Sequence, residues 1–552
     1  MDELKEKCYR NLPITAYHKY KLTNALFNIL KDTGIKNNII HATIYLLDKY
    51  VITQRKMDSV EYMMIGHACL SLSNDLLFSN WDIDLNIIAS VRYHTNKDFT
   101  EKMLADYIDK VVIKFNMEVI YTNPYMLLQK FFATNKTGKK KEALMLKYVV
   151  TCMLYDTATS IYGAVTTFES ICYYVIVWML ECNVKNQKYL DCYLEEDGMP
   201  ESITMCVKHV AAFICKLNML SFVVKVNKMP KFKKVLQWIR FLPIVECGNK
   251  KVKIATKKKK KDRCGDYNDG ELISTGTYGS VFVAKYKDFN KPVALKKQKW
   301  EMNGIVEVSV LKYLCHENII QLIDVDIVVG RKICMIMPYY RRNLHEVVGR
   351  SGIKEKIAIK YSTQLLKAVE YCHDMGIIHQ DIKPENIMVT DDYDQIVLID
   401  FGISNIYSYA NVRYLSPICT LYYRPPEILL ECPTYDNKVD IWSVGCVIAE
   451  MLLGSPLFHA ECQTVESQCE AIFYKTGLPN EDDWPGLIHA KLWQRYESAT
   501  NFPTRRFLNV CVCDGNLNKI MNGALTFNPA NRLSATQSLT VLNKATKLEI
   551  TN

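Results

Sequence analysis

Charged and amide side chains lie close together in the sequence around residue 380. In "HQDIKPEN", Asp381 can accept a proton from a hydroxyl group, and Lys383 can offset negative charge on a phosphoryl group in transit. Asn386, in the same segment, and Asp400, in "DFG", carry oxygen atoms of the kind that Mg²⁺ prefers. These residue types in this order predict a site for magnesium-dependent phosphoryl transfer.

A glycine-rich segment earlier in the chain is typical of a loop that covers phosphates. "STGTYGSV" matches the pattern G-x-G-x-x-G-x-V, except that Ser274 replaces the first glycine. Gly276 and Gly279 remain, and they let the backbone approach phosphates closely. In "VALK", Lys296 supplies a cation for the α- and β-phosphates, and Glu307 on a predicted helix can hold that lysine in place.

The complete set of motifs resembles the signature of a protein kinase, and residues 267–548 resemble a cyclin-dependent kinase. "CTLYYRPPEILLE" and "DIWSVGC" are similar to segments of that family, and Lys383 in "DIKPEN" indicates a serine/threonine kinase. The resemblance implies a small, β-rich lobe at 267–340 and a larger helical lobe at 341–548. It also implies ATP and Mg²⁺ as cofactors. Protein serine or threonine hydroxyls are the implied substrates, with a following proline as the family's preference.

The resemblance assigns roles to further residues. Met337 would be the gatekeeper of the nucleotide pocket, and Pro338 to Tyr340 would form the hinge that binds adenine. Glu427 in "PPE" is expected to pair with Arg532. The residues expected to line the pocket are Ile273, Ser274, Gly276, Gly279, Val281, Ala294, Lys296, Met337 and Tyr340.

Residues 10–229 follow a different pattern, in which apolar residues recur at helical spacing in segment after segment. "IIHATIYLLDKYV" and "VEYMMIGHACLSLS" are examples, and strand-like alternation is nearly absent. The order of these segments resembles a cyclin with two five-helix repeats; another helical regulatory or scaffold domain is the alternative. We therefore expect a multidomain protein, with an all-α cyclin-like domain followed by a two-lobed α+β kinase fold.

A cyclin-like domain fused to a kinase predicts docking within one chain. The helix that carries Glu307 contains "EMNGIVE", in which Ile305 keeps the isoleucine that the resemblance assigns to cyclin contact. Asn74 and Asp106 align with the lysine and glutamate by which family cyclins hold this helix, and only Asp106 retains a charge. A flexible tether raises the local concentration of a partner to about the millimolar range, so a weakened interface remains assembled.

The arginine of the usual His-Arg-Asp sequence is replaced here by Gln380. The resemblance implies three arginines around a phosphothreonine in the activation loop, but the aligned positions are Gln380, Val306 and Asn405, and the phosphothreonine position is Leu415. A phosphate needs cationic partners to order a loop. The joint loss predicts an enzyme that is active without activation-loop phosphorylation. A pseudokinase scaffold that captures host cell-cycle or transcription partners is the less favoured alternative.

An inhibitory phosphorylation site is a further hypothesis. Thr277 and Tyr278 match the family's glycine-loop pair, where an added phosphate would repel the phosphates of ATP. The alternative is that both residues only shape the loop.

Composition bounds the location and the partners of the protein. Residues 230–266 are a basic linker, and Lys257–Arg263 is a nuclear-localisation patch or a solubilising tether. The net charge of +10 comes in part from this run, so nucleic-acid binding is not favoured. No apolar segment reaches the ~20 residues of a membrane span. Cysteines in apolar runs favour a reducing compartment, cytoplasm or nucleus. A cyclin-like domain fused to its kinase, in a chain rich in the Lys, Asn, Ile and Tyr that AT-rich coding sequences often specify, suggests a viral protein in a host cell.

Overall fold

The chain divides into two compact units, Met1–Lys253 and Ile254–Asn552. The computed structural model describes residues 16–30, 36–54, 56–78, 83–121, 123, 125–129, 150, 267–276, 279–286, 292–328, 332–406, 412–413, 419–499, 502–503 and 515–550. Most of the predicted second helical group, the linker at 230–266, Thr277, Tyr278 and Leu415 lie outside these residues.

The first unit is helical where it is described, as its apolar periodicity predicts. Its helices are α1 (Ala16–Ile29), α2 (Lys36–Ile52), α3 (Ser59–Phe78), α4 (Asp84–Thr95) and α5 (Glu101–Lys114). Helix α3 lies at the centre and contacts the other four. A side chain at Gly66 would overlap Leu22, so α1 and α3 approach closely there. A buried ion pair between Lys19 and Asp48, at 2.8 Å, joins α1 to α2.

The second unit begins with an antiparallel sheet of five strands in the order β1-β2-β3-β5-β4. The strands are β1 (Tyr267–Gly276), β2 (Gly279–Tyr286), β3 (Val293–Lys299), β4 (Asp324–Val328) and β5 (Lys332–Pro338), and helix α6 (Met302–Tyr313) follows β3. Leu295 packs into an apolar cluster with Ala284 and Ile336. Because side chains alternate along a strand, its neighbour Lys296 points to the opposite face.

The remainder of the second unit is mainly helical. Its helices are α7 (Leu344–Val348), α8 (Glu355–Asp374), α9 (Pro426–Leu429), α10 (Lys438–Leu453), α11 (Val465–Thr476), α12 (Gly515–Ala524) and α13 (Ala535–Ile550). Its short strands are β6 (Arg342–Asn343), β7 (Ile377–Ile378), β8 (Ile387–Val389), β9 (Ile396–Leu398), β10 (Asn405–Ile406), β11 (Val412–Arg413) and β12 (Thr434–Tyr435). Helix α10 is buried from Val439 to Met451 and packs against α8 and α12, so it forms the core of this part.

A buried ion pair connects α9 to the segment before α13. Arg532 donates from Nη1 and Nη2 to the two carboxylate oxygens of Glu427, at 2.7 and 2.9 Å. Its side chain is 0% exposed, and its guanidinium group lies 5.3 Å from the ring centroid of Trp442. The pair expected from the sequence is therefore present, and the planar guanidinium satisfies the carboxylate with two parallel hydrogen bonds.

Replacing this arginine should strongly destabilise the second unit. The change Arg532→Met leaves the Glu427 carboxylate buried without a counter-charge, which lowers the free energy of unfolding by about 3–5 kcal/mol. Urea unfolding of the full chain measures this loss. Arg495→Met removes an exposed pair with Glu466 and serves as the control, with a change within about 0.5 kcal/mol expected. Equal losses in the two variants would contradict the prediction.

Candidate active site

A buried ammonium group lies between two carboxylates at the face of the sheet. Lys296 Nζ on β3 donates to Glu307 Oε1 and Oε2 at 2.6 and 2.8 Å, and to Asp400 Oδ1 at 2.9 Å. Glu307 lies on α6 and is 1% exposed. Gln298 Nε2 also donates to Glu307 Oε2, at 2.8 Å. These contacts tie β3, α6 and the segment after β9 together.

The charge states of this cluster follow from its geometry. Burial lowers the pKa of Lys296, but the carboxylates of Glu307 and Asp400 raise it by more, so the pKa lies above its usual value. Burial raises the pKa of Asp400, but the ammonium of Lys296 lowers it by more, so that pKa lies below its usual value. The cleft therefore presents a fixed cation and a fixed anion at neutral pH.

A second polar cluster surrounds Asp381 between β7 and β8. Lys383 Nζ lies 2.8 Å from Asp381 Oδ2, and Asn386 Nδ2 donates to the same oxygen at 3.0 Å. Thr420 donates to Asp381 Oδ1 from its backbone nitrogen at 3.0 Å and from its hydroxyl at 2.7 Å. Lys383 Nζ also donates to Thr420 Oγ1 at 2.8 Å. The carboxylate of Asp381 is thus held in one orientation by three neighbouring side chains.

Helix α10 fixes the loop before Asp381 through the carboxylate of Asp440. Asp440 is 1% exposed. Its two carboxylate oxygens accept from the backbone nitrogens of His379 and Gln380, each at 2.9 Å. Gln380 has a φ of 70° and Asp400 a φ of 64°, a region that non-glycine residues seldom adopt. Such strain is maintained only where the surrounding contacts over-determine the backbone, which is typical of active sites.

Both clusters lie in one cleft of about 620 Å³. The predicted residues that line it are Ile273, Ser274, Gly279, Val281, Ala294, Lys296, Glu307, Met337, Tyr340, Asp381, Lys383, Asn386 and Asp400. Gly276 is not among the residues that line this cleft; it is the register partner of Gly279, which is. The structure thus brings together every predicted site residue except this glycine.

Several residues of the site were not predicted: Ile320, Arg341, Asn343, Glu346, Glu385, Met388 and Ile399 line the cleft, and Gln298, Thr420 and Asp440 contact its predicted residues or their loop. Gln298, Thr420 and Asp440 hold Glu307, Asp381 and the loop before Asp381, and Met388 lines the cleft beside them. Met388 is the middle residue of β8 and alternates with the buried Ile387 and Val389, so strand alternation could have indicated that it faces away from them. No local signal distinguishes Gln298, because a polar residue near the end of a strand usually faces solvent.

Comparison with known proteins decides the family. Residues 267–541 match the protein kinase domain family. Cyclin-dependent kinase 1 of Encephalitozoon cuniculi is 37% identical over 229 residues, which span 39% of this chain and 76% of that relative. Cyclin-dependent kinase C-3 of Oryza sativa is 33% identical over 300 residues, spanning 50% of this chain and 90% of the relative. Cyclin-dependent kinase 2 of Caenorhabditis elegans is 32% identical over 291 residues, spanning 50% and 78%. The chain belongs to the cyclin-dependent kinase family.

Family membership identifies the C-terminal unit as a serine/threonine protein kinase domain, as the sequence motifs predict. The two-lobed arrangement of sheet and helices agrees with it. Among the helices that the structure describes, none combines the length and the apolar character needed to span a membrane.

Loss of the Gln298 amide should weaken the kinase without unfolding it. The change Gln298→Leu removes one buried hydrogen bond to Glu307, worth about 0.5–1.5 kcal/mol, so kcat/KM should fall about three- to tenfold. Steady-state assays with a peptide substrate measure this change. Gln321→Leu, at an exposed glutamine of the same lobe, is the control and should retain wild-type kcat/KM. Unchanged activity in Gln298→Leu would show that Lys296 alone positions Glu307.

Proposed function

We propose that this protein transfers the γ-phosphoryl group of Mg-ATP to serine or threonine hydroxyls of proteins. The observation that carries the proposal is the single cleft that holds both the Lys296 cluster and the Asp381 cluster. Asp381 accepts the proton of the attacking hydroxyl. Lys383, 2.8 Å from that carboxylate, offsets charge on the transferred group. Lys296 neutralises phosphate oxygens, while Glu307 keeps its ammonium in place.

The oxygen atoms available in the cleft fit a magnesium ion. Asn386 Nδ2 donates to the main-chain oxygen and to Oδ2 of Asp381, which leaves the amide oxygen as its ligand atom. Lys296 occupies Oδ1 of Asp400, which leaves Oδ2. An amide and a carboxylate oxygen beside substrate phosphates form the usual environment of Mg²⁺. When bound, the ion supplies charge neutralisation for the phosphates of ATP.

The N-terminal helical unit is proposed to act as a cyclin-like activator within the same chain. Two observations support this role. Helix α3 is surrounded by four other helices, as in a five-helix repeat. Helix α6 is buried at every residue from Gly304 to Leu311, including Ile305, so this part of the helix has no solvent-exposed face. A cyclin-like unit docked on this helix would keep Glu307 next to Lys296.

Activity is further proposed not to need a phosphate in the activation segment. Gln380, Val306 and Asn405 provide no positive charge to receive one. Yet Lys296, Glu307 and Asp400 already form the complete ion cluster. Strand β10, which begins at Asn405, already pairs with β7 beside the catalytic loop. The ion cluster and this strand pairing join the described segments without a phosphate, which supports the proposal.

The basic activity and its regulation can be tested in one preparation. Full-length protein made in bacteria, with absence of phosphate verified by mass spectrometry, should phosphorylate protein substrates. Asp381→Asn should reduce kcat by at least about a hundredfold, since general-base catalysis contributes 10²–10⁴-fold. Equal, negligible turnover in wild type and variant would favour a non-catalytic scaffold instead. Inactivity that an activating kinase rescues would contradict phosphate independence alone.

Dilution of the same preparation tests activation within the chain. If the cyclin-like unit docks on its own kinase domain, activity per molecule should stay constant over a wide range of dilution, because an intramolecular contact is independent of concentration. Activity per molecule that falls on dilution would indicate docking between chains.

A preference for proline after the phosphorylated residue is supported by the backbone next to Thr420. Cys419 has a φ of 64°, and Arg424 donates to its carbonyl oxygen from Nε at 3.2 Å and from Nη2 at 2.9 Å. Because Thr420 binds Asp381, the substrate residue that follows the reacting hydroxyl passes near Cys419. Its N–H would find this carbonyl already occupied, at a cost of about 1–3 kcal/mol. Proline has no N–H and avoids that cost.

Removing the guanidinium group should relax this preference. The change Arg424→Met frees the Cys419 carbonyl to accept from an ordinary residue, so the ratio of kcat/KM for Ser-Pro over Ser-Ala peptides should fall about tenfold. Both peptides are assayed with the same enzyme preparation. Partial unfolding of the variant lowers both kcat/KM values equally and therefore leaves their ratio unchanged. An unchanged ratio would mean that other residues select proline.

A further inference from the structure

The buried hydroxyl group of Tyr435 lies next to two side-chain amides, those of Gln380 and Asn405. Tyr435 on β12 is 7% exposed. Gln380 Nε2 donates to its hydroxyl oxygen at 2.7 Å. The side-chain amide of Asn405 lies next to the same hydroxyl. All three groups are uncharged, and none of them lines the nucleotide cleft.

These three residues belong to three segments that must be aligned for catalysis. Gln380 immediately precedes Asp381. Asn405 lies on β10, which pairs with β7 at the start of the catalytic loop. Tyr435 lies on β12, where it is the register partner of Val412 in the activation segment. Tyr435 therefore joins the catalytic loop, by its hydroxyl bond to Gln380, to β11 of the activation segment, by the backbone pairing of β11 and β12, and its hydroxyl lies beside Asn405 on β10.

The backbone of Gln380 needs these contacts. Its φ of 70° lies in the left-handed region, which glutamine rarely adopts. Asp440 holds its backbone nitrogen from one side, and Tyr435 holds its side chain from the other. A strained residue remains in such a conformation only when several contacts fix it.

We propose that the Tyr435 hydroxyl positions the catalytic loop and the activation segment, as an uncharged hub that makes a phosphate unnecessary. This inference rests on the proposed phosphate-independent activity and names the contact responsible for it. Tyr435 is a positioning residue, since it acts through Gln380 and Asn405 rather than on the substrate. Burial raises the pKa of its hydroxyl, so the group remains a neutral phenol at physiological pH.

Removal of one oxygen atom tests the hub in the unphosphorylated full-length protein. In Tyr435→Phe, kcat for a protein substrate should fall about tenfold, the effect of one buried hydrogen-bond network. The dissociation constant of ADP should stay within about twofold, because the hydroxyl does not reach the cleft. Tyr361→Phe is the matched control: its buried ring keeps its place, and its hydroxyl donates to the Tyr393 carbonyl at 2.9 Å, away from the site. That variant should keep the wild-type kcat.

A second variant removes the hydrogen bond between Gln380 and Tyr435 by changing its donor instead of its acceptor. Gln380→Met keeps the side-chain length but removes the donor, and it should lower kcat by a similar factor. The double variant should be little worse than either single one, because both remove the same contact. Hydrogen exchange across 405–435 should also rise in both single variants and not in Tyr361→Phe.

The outcomes separate this inference from the function on which it rests. An active wild type whose kcat survives both Tyr435→Phe and Gln380→Met would overturn the hub and leave phosphate independence intact. Multiplicative losses in the double variant would also overturn it. A wild type that is inactive until phosphorylated would overturn both proposals, since the hydroxyl would then be insufficient.

Discussion

Burial of the Lys296 ammonium is the constraint on which the rest of the kinase domain depends. A buried ion without partners costs several kcal/mol, so Lys296 is tolerable on β3 only when carboxylates meet it. Glu307 comes from α6 and Asp400 from the segment after β9. The sheet, the helix and the start of the activation segment must therefore assemble together. Gln298 adds a neutral donor to Glu307, which completes the hydrogen bonding of a carboxylate that is 1% exposed.

The domain separates the charged groups that line the cleft from the groups that hold the scaffold. The open cleft is lined by charged residues, whose charges can act on a bound nucleotide: Lys296, Lys383 and Asp400. Beneath it, Gln380 bonds the uncharged hydroxyl of Tyr435 through its side chain, while Asp440 binds backbone nitrogens. An arginine at position 380 would place a full charge in a buried site, where it would need an anion such as a phosphate. An amide at that position forms its hydrogen bond without one.

Several features of the fold and site were predictable because they are local or repetitive. Apolar periodicity predicted the helices around α3, and the resemblance predicted the β-rich lobe that contains β1 to β5. Motifs in chain order predicted the charged residues Lys296, Glu307, Asp381, Lys383 and Asp400 of the cleft, but not lining residues such as Ile320, Met388 and Ile399. The assignment of Gly276 to the nucleotide site stays a prediction, because the glycine pattern specifies a loop that approaches phosphates but not which of its residues faces the cleft. Gln298 was missed because its partner Glu307 is buried by tertiary packing, which no pattern on β3 reports.

The sequence by itself determined the chemistry, since phosphoryl transfer needs particular residue types in a known order and these can be read along the chain. It also showed that the arginine cluster is absent, because a substitution at an aligned position can be read directly from the sequence. Only the tertiary structure decided what stands in that place. Gln380 and Tyr435 are 55 positions apart, and neither residue type predicts the other. Their contact arises because Asp440 fixes the loop above α10 and the β11–β12 pairing places Tyr435 beneath it. Both are consequences of packing between distant segments.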